Sequence, residues 1–475
     1  MKADSLSRWA LPILIVLAVV IRWPSFLPSV INHDESTYII IGNGLLHGQA
    51  YLVDSYDTKP IGIFLVYALL NALTGGSIFG IRLLTTIWLA FTAYLLFLLG
   101  VRAGGHHRVG WAAGISYVLM TSIFTFYGIS PNTELFFNGL TVLAILLAWG
   151  AGNRIGLYLL AGLTLGAAFM IKYVCAGDAF ALGCFLLVSG LQKGAWKNTV
   201  FLRCAPLTLA FFVPFVLVFA YYTQIGQSGS FFFYTFEATR SYPVETEWWR
   251  RLKYMGDFLL RFSPLVVLAL FALREYRRED RSLQYFCLLW FAADTAILLL
   301  PGKFFGHYQV HLMPALALLA ATWFHPARRR PRFLKQMPPK WGYALLALLI
   351  LGLSIGLFSY YAKKADYPRQ IAQELRQRMN PGDQVYTGNY HHIVYHLLGQ
   401  PSLTPYVHSS LLYYEHHLRA LNIDLAKETE CILEKRPRYI LLREEHEQNI
   451  LTQRIKEKYT VADTLVDHVL LLERR

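Results

Sequence analysis

Long apolar runs, separated by short polar segments, occupy the first three quarters of the chain. Each run has 15 to 24 residues, and a helix needs about 17–25 mostly apolar residues to cross a bilayer. The two shortest runs reach that length if they extend into their flanks. The pattern predicts a polytopic α-helical membrane protein. The runs are 9–27, 78–100, 110–127, 135–149, 156–174, 177–191, 199–222, 255–273, 283–300, 307–324 and 341–361.

A further apolar segment, residues 61–73, is too short to cross comfortably, and the distribution of Lys and Arg decides its placement. If it crossed, the loop 102–108 would lie outside and every later basic loop would change sides. If it lies along the membrane surface, all basic loops fall on the cytoplasmic side, as the positive-inside rule expects. The sequence therefore predicts about eleven spans, a cytoplasmic N-terminus and juxtamembrane helices within 34–74. The basic segments are 102–108, Arg154, Lys193 to Arg203, 274–281 and 328–340.

The composition changes after residue 361. Residues 367–379 have the pattern of an amphipathic helix, and Asn380-Pro-Gly-Asp383 is typical of a turn. Short apolar runs at 384–387, 438–443 and 468–473 indicate strands, with helix-like stretches at 409–421 and 424–435 between them. We therefore predict a transmembrane domain over 1–361 and a small extracytoplasmic α/β domain over 362–475.

The overall composition supports a membrane protein and argues against nucleic-acid binding. Hydrophobic residues make up 55% of the chain and charged residues only 16%, whereas soluble proteins average about 25% charged residues. The net charge is +14, but the excess lies in short loops rather than on a contiguous basic face. The five cysteines form no Cys-x-x-Cys motif. His391, His392 and His396 include one i, i+4 pair with the spacing of metal ligands, but without a His-Glu-x-x-His motif the sequence does not favour zinc.

In this topology, charged residues from distant parts of the sequence fall on the outer face. Ionisable groups beside hydrocarbon are costly, so they are functional candidates by default. Basic residues outside the membrane oppose the positive-inside bias and suggest a phosphate to neutralise. The candidates are Asp34, Glu35, Asp57, Lys59, Glu134, Arg240, Lys303 and His307.

Each of these residues also has a structural explanation. Asp34 is suited to cap the helix predicted to follow it, and Glu134 to cap the run that follows it. Lys59 is placed to extend its ammonium group toward water from the membrane surface. An isolated histidine such as His307 is more often structural than catalytic.

The order of several short motifs resembles the GT-C superfamily of membrane glycosyltransferases. More narrowly, it resembles the bacterial branch of protein O-mannosyltransferase-like enzymes and lipid A aminoarabinose transferases. The resemblance covers residues 9–324, and 362–475 carry much less of it. The motifs are Asp34-Glu35, Gly48-x-Ala-Tyr51, Asp57-x-Lys59-Pro60, Arg82-Leu-Leu, Thr133-Glu134-Leu, the run from Ala161 to Lys172, and His307-Tyr308 to Leu319.

The resemblance implies a GT-C-like fold and transfer of a sugar from a polyprenyl phosphate outside the cytoplasmic membrane of a bacterium. It implies that Asp34 is the catalytic base and that Lys59 binds the phosphate. Arg240 resembles a second phosphate-binding residue, although its spacing from Glu237 departs from the family pattern by about one residue. Lys303 and His307 fall near the lipid-facing rim in the family pattern, without a definite role.

The chemistry is consistent with this resemblance. A lipid-linked donor carries its own leaving group, so no nucleotide site is needed, and none of the usual nucleotide motifs occurs. Fixed cations stabilise the departing phosphate, and a carboxylate takes the proton of the acceptor hydroxyl. One base implies inversion, whereas Glu35 or Glu134 as a nucleophile would give retention. We expect no cofactor and assign no metal ligands, although these carboxylates could also gather around a divalent cation.

Two other classes of function remain open from the sequence. A lipid-sugar transporter or flippase also needs a basic cavity and many spans, but it typically shows midplane polar residues and inverted repeats, which are not evident here. A scaffold protein would work through residues 362–475. The expected partners of the enzyme are the polyprenyl-phosphate donor, a lipid, glycan or protein acceptor, and membrane lipids. Tyr386, Tyr390, His391 and Tyr395 are suited to carbohydrate contact.

Overall fold

The structure, a computed structural model, describes residues 5–123, 127–241, 247–274, 281–328 and 338–475. Most of these residues are helical, as the sequence predicts. Parts of two predicted basic loops, 274–281 and 328–340, lie outside the described residues. The α-helices are α1 Ala10–Arg22, α2 His33–Leu46, α3 Ile61–Thr74, α4 Ile78–Gly104, α5 His107–Met120, α6 Thr133–Ala148, α7 Ile155–Ile171, α8 Ala176–Gln192, α9 Trp196–Thr199, α10 Ala205–Gln224, α11 Ser228–Phe232, α12 Ala238–Ser241, α13 Trp248–Arg261, α14 Ser263–Arg274, α15 Arg281–Leu299, α16 Met313–Ala321, α17 Pro339–Ala362, α18 Tyr367–Arg378, α19 Ile393–Leu398, α20 Glu415–Ala420, α21 Leu425–Glu434 and α22 Ile450–Lys458.

Several of these helices are long and apolar enough to cross a membrane, so the chain is a multi-pass membrane protein. Within the described residues there are six such helical segments, or seven if the bent pair α13 and α14 forms one span. The shorter helices α3, α6 and α7 are also apolar. The six segments are Leu6–Phe26, Ile78–Gly104, Tyr173–Gln192, Trp196–Gln224, Arg281–Leu299 and Lys340–Arg378.

Several predicted runs are not single α-helices, and two of them show this most clearly. The run 255–273 is divided between α13 and α14, which meet at an angle of 86°. Pro264 is the second residue of α14, and proline disfavours helical geometry in the residue before it and removes one backbone hydrogen bond of a helix. The run 307–324 begins as a 3₁₀ segment, Gly306–Leu312, before α16 starts at Met313.

The described chain divides into two compact units that do not follow the predicted boundary at 361/362. The helical unit comprises Met1–Phe26, Arg82–Val218 and Val244–Ala362. The mixed unit comprises Leu27–Ile81, Phe219–Pro243 and Lys363–Arg475. The segments that carry Asp34, Lys59 and Arg240 therefore belong to the same unit as the C-terminal region.

Close backbone contacts and a buried arginine organise the helical unit. A side chain at Gly162 or Gly166 of α7 would overlap the carbonyl oxygen of Leu207 or Phe211 in α10, so these glycines let the two helices approach closely. The fully buried Arg22, at the end of α1, donates to the carbonyl oxygens of residues 121, 128 and 129 at 2.8, 2.7 and 3.1 Å. The guanidinium thereby satisfies backbone acceptors that no regular helix uses.

A four-stranded sheet lies at the centre of the C-terminal part of the mixed unit. Its strands are β1 Val385–Tyr386, β2 Tyr439–Leu442, β3 Tyr459–Leu465 and β4 Val469–Arg474, in the order β1-β2-β4-β3. β1 is parallel to β2, and the other pairs are antiparallel. Leu470 and Leu472 pack on one face of β4, and Val469 and Leu471 on the other. Both faces are covered, which explains the continuous apolar run of β4.

Candidate active site

Asp34 lies in the first turn of α2, but it does not cap this helix. The cap is Asn32, whose Oδ1 accepts a hydrogen bond from the backbone N–H of Asp34 at 2.7 Å. The structural explanation of Asp34 as an N-cap is therefore wrong. Because the neighbouring amide satisfies the helix start, the Asp34 carboxylate is available for other contacts.

The Asp34 carboxylate forms an ion pair with Lys59. The Lys59 Nζ lies 3.0 Å from Asp34 Oδ1 and 3.3 Å from Asp57 Oδ1. The side chain of Asp57 is 5% exposed, whereas those of Asp34 and Lys59 are 20% and 25% exposed. The structure thus joins three predicted site residues into one cluster. Its lysine and Asp34 retain access to solvent, which a substrate-binding group needs.

The loop that carries Lys59 is held by the hydroxyl group of Tyr51. This hydroxyl donates to the carbonyl oxygens of Asp57 and Lys59 at 2.7 and 2.6 Å. The Tyr51 ring packs against Phe64 of α3, with 4.5 Å between the ring centroids. These contacts give a physical role to the Gly48-x-Ala-Tyr51 motif, because they fix the backbone on both sides of residue 58.

Four imidazoles form a histidine cluster next to Asp34, made of His33, His391, His392 and His408. The rings of His33 and His391 stack with centroids 4.6 Å apart, and those of His392 and His408 lie 5.1 Å apart. His392 Nε2 lies 2.8 Å from the Thr37 hydroxyl and 3.1 Å from the carbonyl oxygen of His33. The first turn of α2 is therefore packed against the segment 391–408.

The surroundings keep this cluster neutral. Burial, reinforced by neighbouring histidines and basic side chains, lowers the pKa of His391 to about 3. Burial lowers the pKa of His408 to about 4, although the Asp34 charge opposes the shift. The pKa of His392 lies well below its usual value, and that of His33 is also lowered, in both cases chiefly by burial. Uncharged imidazoles can both donate and accept hydrogen bonds.

The other candidates in the mixed unit, Glu35 and Arg240, are not part of the Asp34, Asp57 and Lys59 cluster. The Glu35 side chain is 1% exposed, so it is much less accessible than Asp34. Arg240 is exposed at the end of α12, and within the described chain no hydrogen bond or ion pair joins it to the Asp34 cluster. A π-helical segment, Phe233–Glu237, precedes α12.

Glu134, Lys303 and His307 belong to the helical unit. Glu134, 1% exposed, lies in the first turn of α6 and accepts a short hydrogen bond from Lys172 Nζ. The Lys172 ammonium also lies 3.5 Å from the centre of the Tyr308 ring. His307 is buried and close enough to Glu134 for an electrostatic interaction. Burial and the charge of Lys172 lower the pKa of Lys303.

Comparisons with known proteins show which family and which fold this chain is similar to. Residues 58–218 match the family described as dolichyl-phosphate-mannose-protein mannosyltransferase. The crystal structure of ArnT from Cupriavidus metallidurans bound to undecaprenyl phosphate superposes with a TM-score of 0.73, over 99% of this chain and 98% of that chain, at 14% identity. The chain has the GT-C fold. The resemblance to GT-C membrane glycosyltransferases of the lipid A aminoarabinose transferase type is thereby confirmed.

Two further relatives are matched over part of their own length. An undecaprenyl phosphate-alpha-4-amino-4-deoxy-L-arabinose arabinosyl transferase of Pseudomonas aeruginosa is 25% identical over 69% of this chain and 61% of its own length. The chain thus spans about three fifths of the length of the first curated relatives it matches. The archaeal oligosaccharyltransferase AglB of Archaeoglobus fulgidus superposes with a TM-score of 0.54 over 92% of this chain and 69% of that chain, at 10% identity.

Several residues of this chain were not assigned a role from the sequence. Lys172 ends the apolar run that begins at Ala161, but its partner Glu134 is 38 positions away. The histidine cluster joins residues more than 350 positions apart. Tyr386, Tyr390 and Tyr395 are each at most 2% exposed, so the prediction of carbohydrate contact through them is wrong. His392 and His396, the pair with i, i+4 spacing, have separate partners: His392 Nε2 lies 2.8 Å from the Thr37 hydroxyl, and His396 Nε2 lies 2.8 Å from the carbonyl oxygen of Gly76.

Proposed function

We propose that the chain is an integral-membrane glycosyltransferase that moves a sugar from a polyprenyl-phosphate donor to an acceptor hydroxyl on the extracytoplasmic face. The observation that supports it most directly is the Lys59 ammonium held 3.0 Å from the Asp34 carboxylate, within a GT-C fold. This pair supplies the two groups that direct displacement requires, a cation for the leaving phosphate and a base for the attacking hydroxyl. A single base at Asp34 gives inversion at the anomeric carbon.

The pair also suggests how donor binding activates the base. A carboxylate next to an ammonium group is a weaker base than an unpaired one, because the cation stabilises its charged form. A lipid phosphate competes with Asp34 for the Lys59 Nζ. Once the phosphate shares this cation, the Asp34 carboxylate becomes more basic. This change coincides with the step in which the acceptor hydroxyl loses its proton. Asp57, which faces the same ammonium, keeps the lysine in place.

The names of the relatives indicate the substrates to test first. Undecaprenyl phosphate with 4-amino-4-deoxy-L-arabinose is the donor in the name of the Pseudomonas aeruginosa relative, and we propose a donor of this class. The proposed acceptor is lipid A or another lipopolysaccharide hydroxyl, with a surface glycan or a protein as alternatives. Arg240 contributes to phosphate binding in this proposal, and Glu134, Lys303 and His307 are further candidates for binding the substrate or the lipid phosphate. No cofactor is required.

The proposed topology follows from the charge distribution. Eleven spans with a cytoplasmic N-terminus place Asp34, Lys59 and residues 362–475 outside the bacterial inner membrane. Apolar segments that the structure forms as shorter helices, such as α6 and α7, count among these spans. The helix α3 lies along the membrane surface.

The experiment is a transfer assay on the full-length protein in lipid, with mixed polyprenyl-phosphate sugars and lipid A, with and without chelator. Asp34→Asn should lower turnover at least 100-fold, since general bases typically contribute about 10² to 10⁴ in rate, while donor binding is retained. Glu430→Gln, at an exposed carboxylate of the same unit, is the control and should behave as wild type.

Turnover retained by Asp34→Asn would refute its role as the base. If the wild type and the variant bind the donor equally and neither transfers sugar to any acceptor, the enzyme proposal fails. Movement of the labelled lipid across vesicles would then be measured, because a transporter is the remaining alternative.

A further inference from the structure

Two buried carboxylates and an imidazole meet in the helical unit, and the proposed reaction uses none of them. Asp178 lies in the first turn of α8, Asp294 in α15, and His311 in the 3₁₀ segment before α16. Their side chains are 1%, 0% and 1% exposed. One donor atom from each residue lies within 4.8 Å of the other two.

The contacts within this group leave one carboxylate without hydrogen bonds. Asp178 Oδ1 accepts from the Trp290 indole N–H at 2.6 Å, and its Oδ2 lies 2.9 Å from His311 Nε2. Asp294 Oδ1 lies 3.4 Å from the same nitrogen, but neither of its oxygens has a hydrogen-bond partner. A buried, ionised carboxylate without hydrogen bonds is energetically costly unless a cation compensates its charge.

The charge count indicates which cation fits. Two carboxylates beside an imidazole, even a protonated one, retain an excess negative charge in a buried site. A divalent cation balances both carboxylates and leaves the imidazole neutral, which is the form that ligates metals. The alternative is protonation of both Asp294 and His311, which also leaves the three groups without net charge, and the metal content of the protein distinguishes this alternative from a bound ion.

The distances are also those of ligands around one small ion. Zinc binds nitrogen and oxygen donors at about 2.0–2.2 Å in a tetrahedral arrangement, which places the donor atoms about 3.3–3.5 Å apart. The distances from His311 Nε2 to the two carboxylates, 2.9 and 3.4 Å, require little adjustment. The Trp290 hydrogen bond orients Asp178 in the way that outer hydrogen bonds orient ligating carboxylates.

We propose that Asp178, Asp294 and His311 bind one divalent first-row metal ion, zinc or manganese, which fastens α8 and α15 to the segment before α16. Mixed oxygen and nitrogen donors suit both ions. This metal site was not expected from the sequence, which predicted no cofactor, and the proposal does not depend on the proposed glycosyl transfer. Its role is to hold three segments of the helical unit together.

The test uses the full-length protein purified without a polyhistidine tag. The protein is stripped with chelator, reloaded with Zn²⁺ or Mn²⁺, desalted and measured by plasma mass spectrometry. We expect about one ion per chain in the wild type and at least a tenfold lower content in Asp294→Asn and His311→Gln. Asp257→Asn and His107→Gln, both at more exposed positions of the same unit, serve as controls and should retain the ion.

A wild type that holds no ion after reloading would overturn the proposal, and so would equal metal content in wild type and both site variants. Since a variant at a buried position can fail to fold, His311→Cys provides a second measurement with Co²⁺. A thiolate ligand at position 311 should add a sulfur-to-cobalt charge-transfer band that the wild type lacks. Absence of this band in folded, Co²⁺-loaded His311→Cys would place the ion elsewhere and refute the site.

Discussion

The buried pair of Glu134 and Lys172 allows a quantitative test of the helical unit. Lys172→Met removes the ammonium that faces the Glu134 carboxylate, whose side chain is 1% exposed. Removing one partner of a buried ion pair typically costs about 3–5 kcal/mol, because the other charge is left uncompensated. We therefore expect this variant to be strongly destabilised.

The reverse substitution should cost less. In Glu134→Gln the lysine side chain is still 16% exposed and keeps its position 3.5 Å over the Tyr308 ring. A neutral amide also still offers an oxygen to Lys172, so we expect a loss of about 1–2 kcal/mol. The double variant buries no unpaired carboxylate, and its loss should be smaller than the sum of the two single losses by about 1–3 kcal/mol.

The measurement is a double-mutant cycle of unfolding in lipid nanodiscs, read as the free energy of unfolding where it is reversible and otherwise as the apparent melting temperature. Lys197→Met, at an exposed lysine, is the control for loss of a positive charge. Additive effects of the two substitutions, or a Lys172→Met variant no less stable than Glu134→Gln, would show that the pair does not stabilise the unit as argued.

Two further predictions concern the histidine cluster and the helix contact. The folded-state pKa values of about 3 for His391 and about 4 for His408 lie below the value of about 6.5 for an exposed histidine. Their contribution to stability is therefore complete above pH 6.5 and is lost as the pH falls toward 4. The melting temperature of the mixed unit should drop between pH 7 and pH 5, and His408→Gln should weaken that dependence; a flat wild-type profile would contradict the pKa shifts. In the helical unit, Gly166→Leu should prevent α7 from approaching Phe211 and cost more than about 2 kcal/mol, as overpacking commonly does. Gly156→Leu, where nothing lies within 4 Å of the added Cβ, is the matched control, and equal melting temperatures for the two variants would contradict the close approach.

The sequence predicted the helical character of the fold well because long apolar runs carry a strong signal. The C-terminal helix predicted at 367–379 is α18, Tyr367–Arg378. In contrast, the strand β3 was not predicted. Most of its residues between Tyr459 and Leu465 are exposed, so its sequence lacks the alternation of apolar and polar residues that indicates a strand. The bend between α13 and α14 was also missed, because hydropathy does not report helix direction.

The site was predictable only for residues that lie in recognisable sequence motifs and whose charges suit the expected reaction. Asp34 and Lys59 were expected to act together, and the structure pairs them. The capping role of Asn32 was not expected, because Asp34 is an equally suitable cap by residue type. The pairing of Lys172 with Glu134 and the packing of His33 on His391 join segments whose contact no local pattern encodes.

The packing of His33 against residues 391–408 has a consequence for how such proteins can be recombined. A crossover between two homologues at residue 361 would combine an α2 start from one parent with histidine partners from the other. The four rings lie within a few ångströms of one another, so sequence changes on one side require matching changes on the other. A functional chimera should therefore exchange residues 27–81 together with 363–475. The part that must come from one parent consists of segments that are separate in the sequence, and not of the C-terminal region alone.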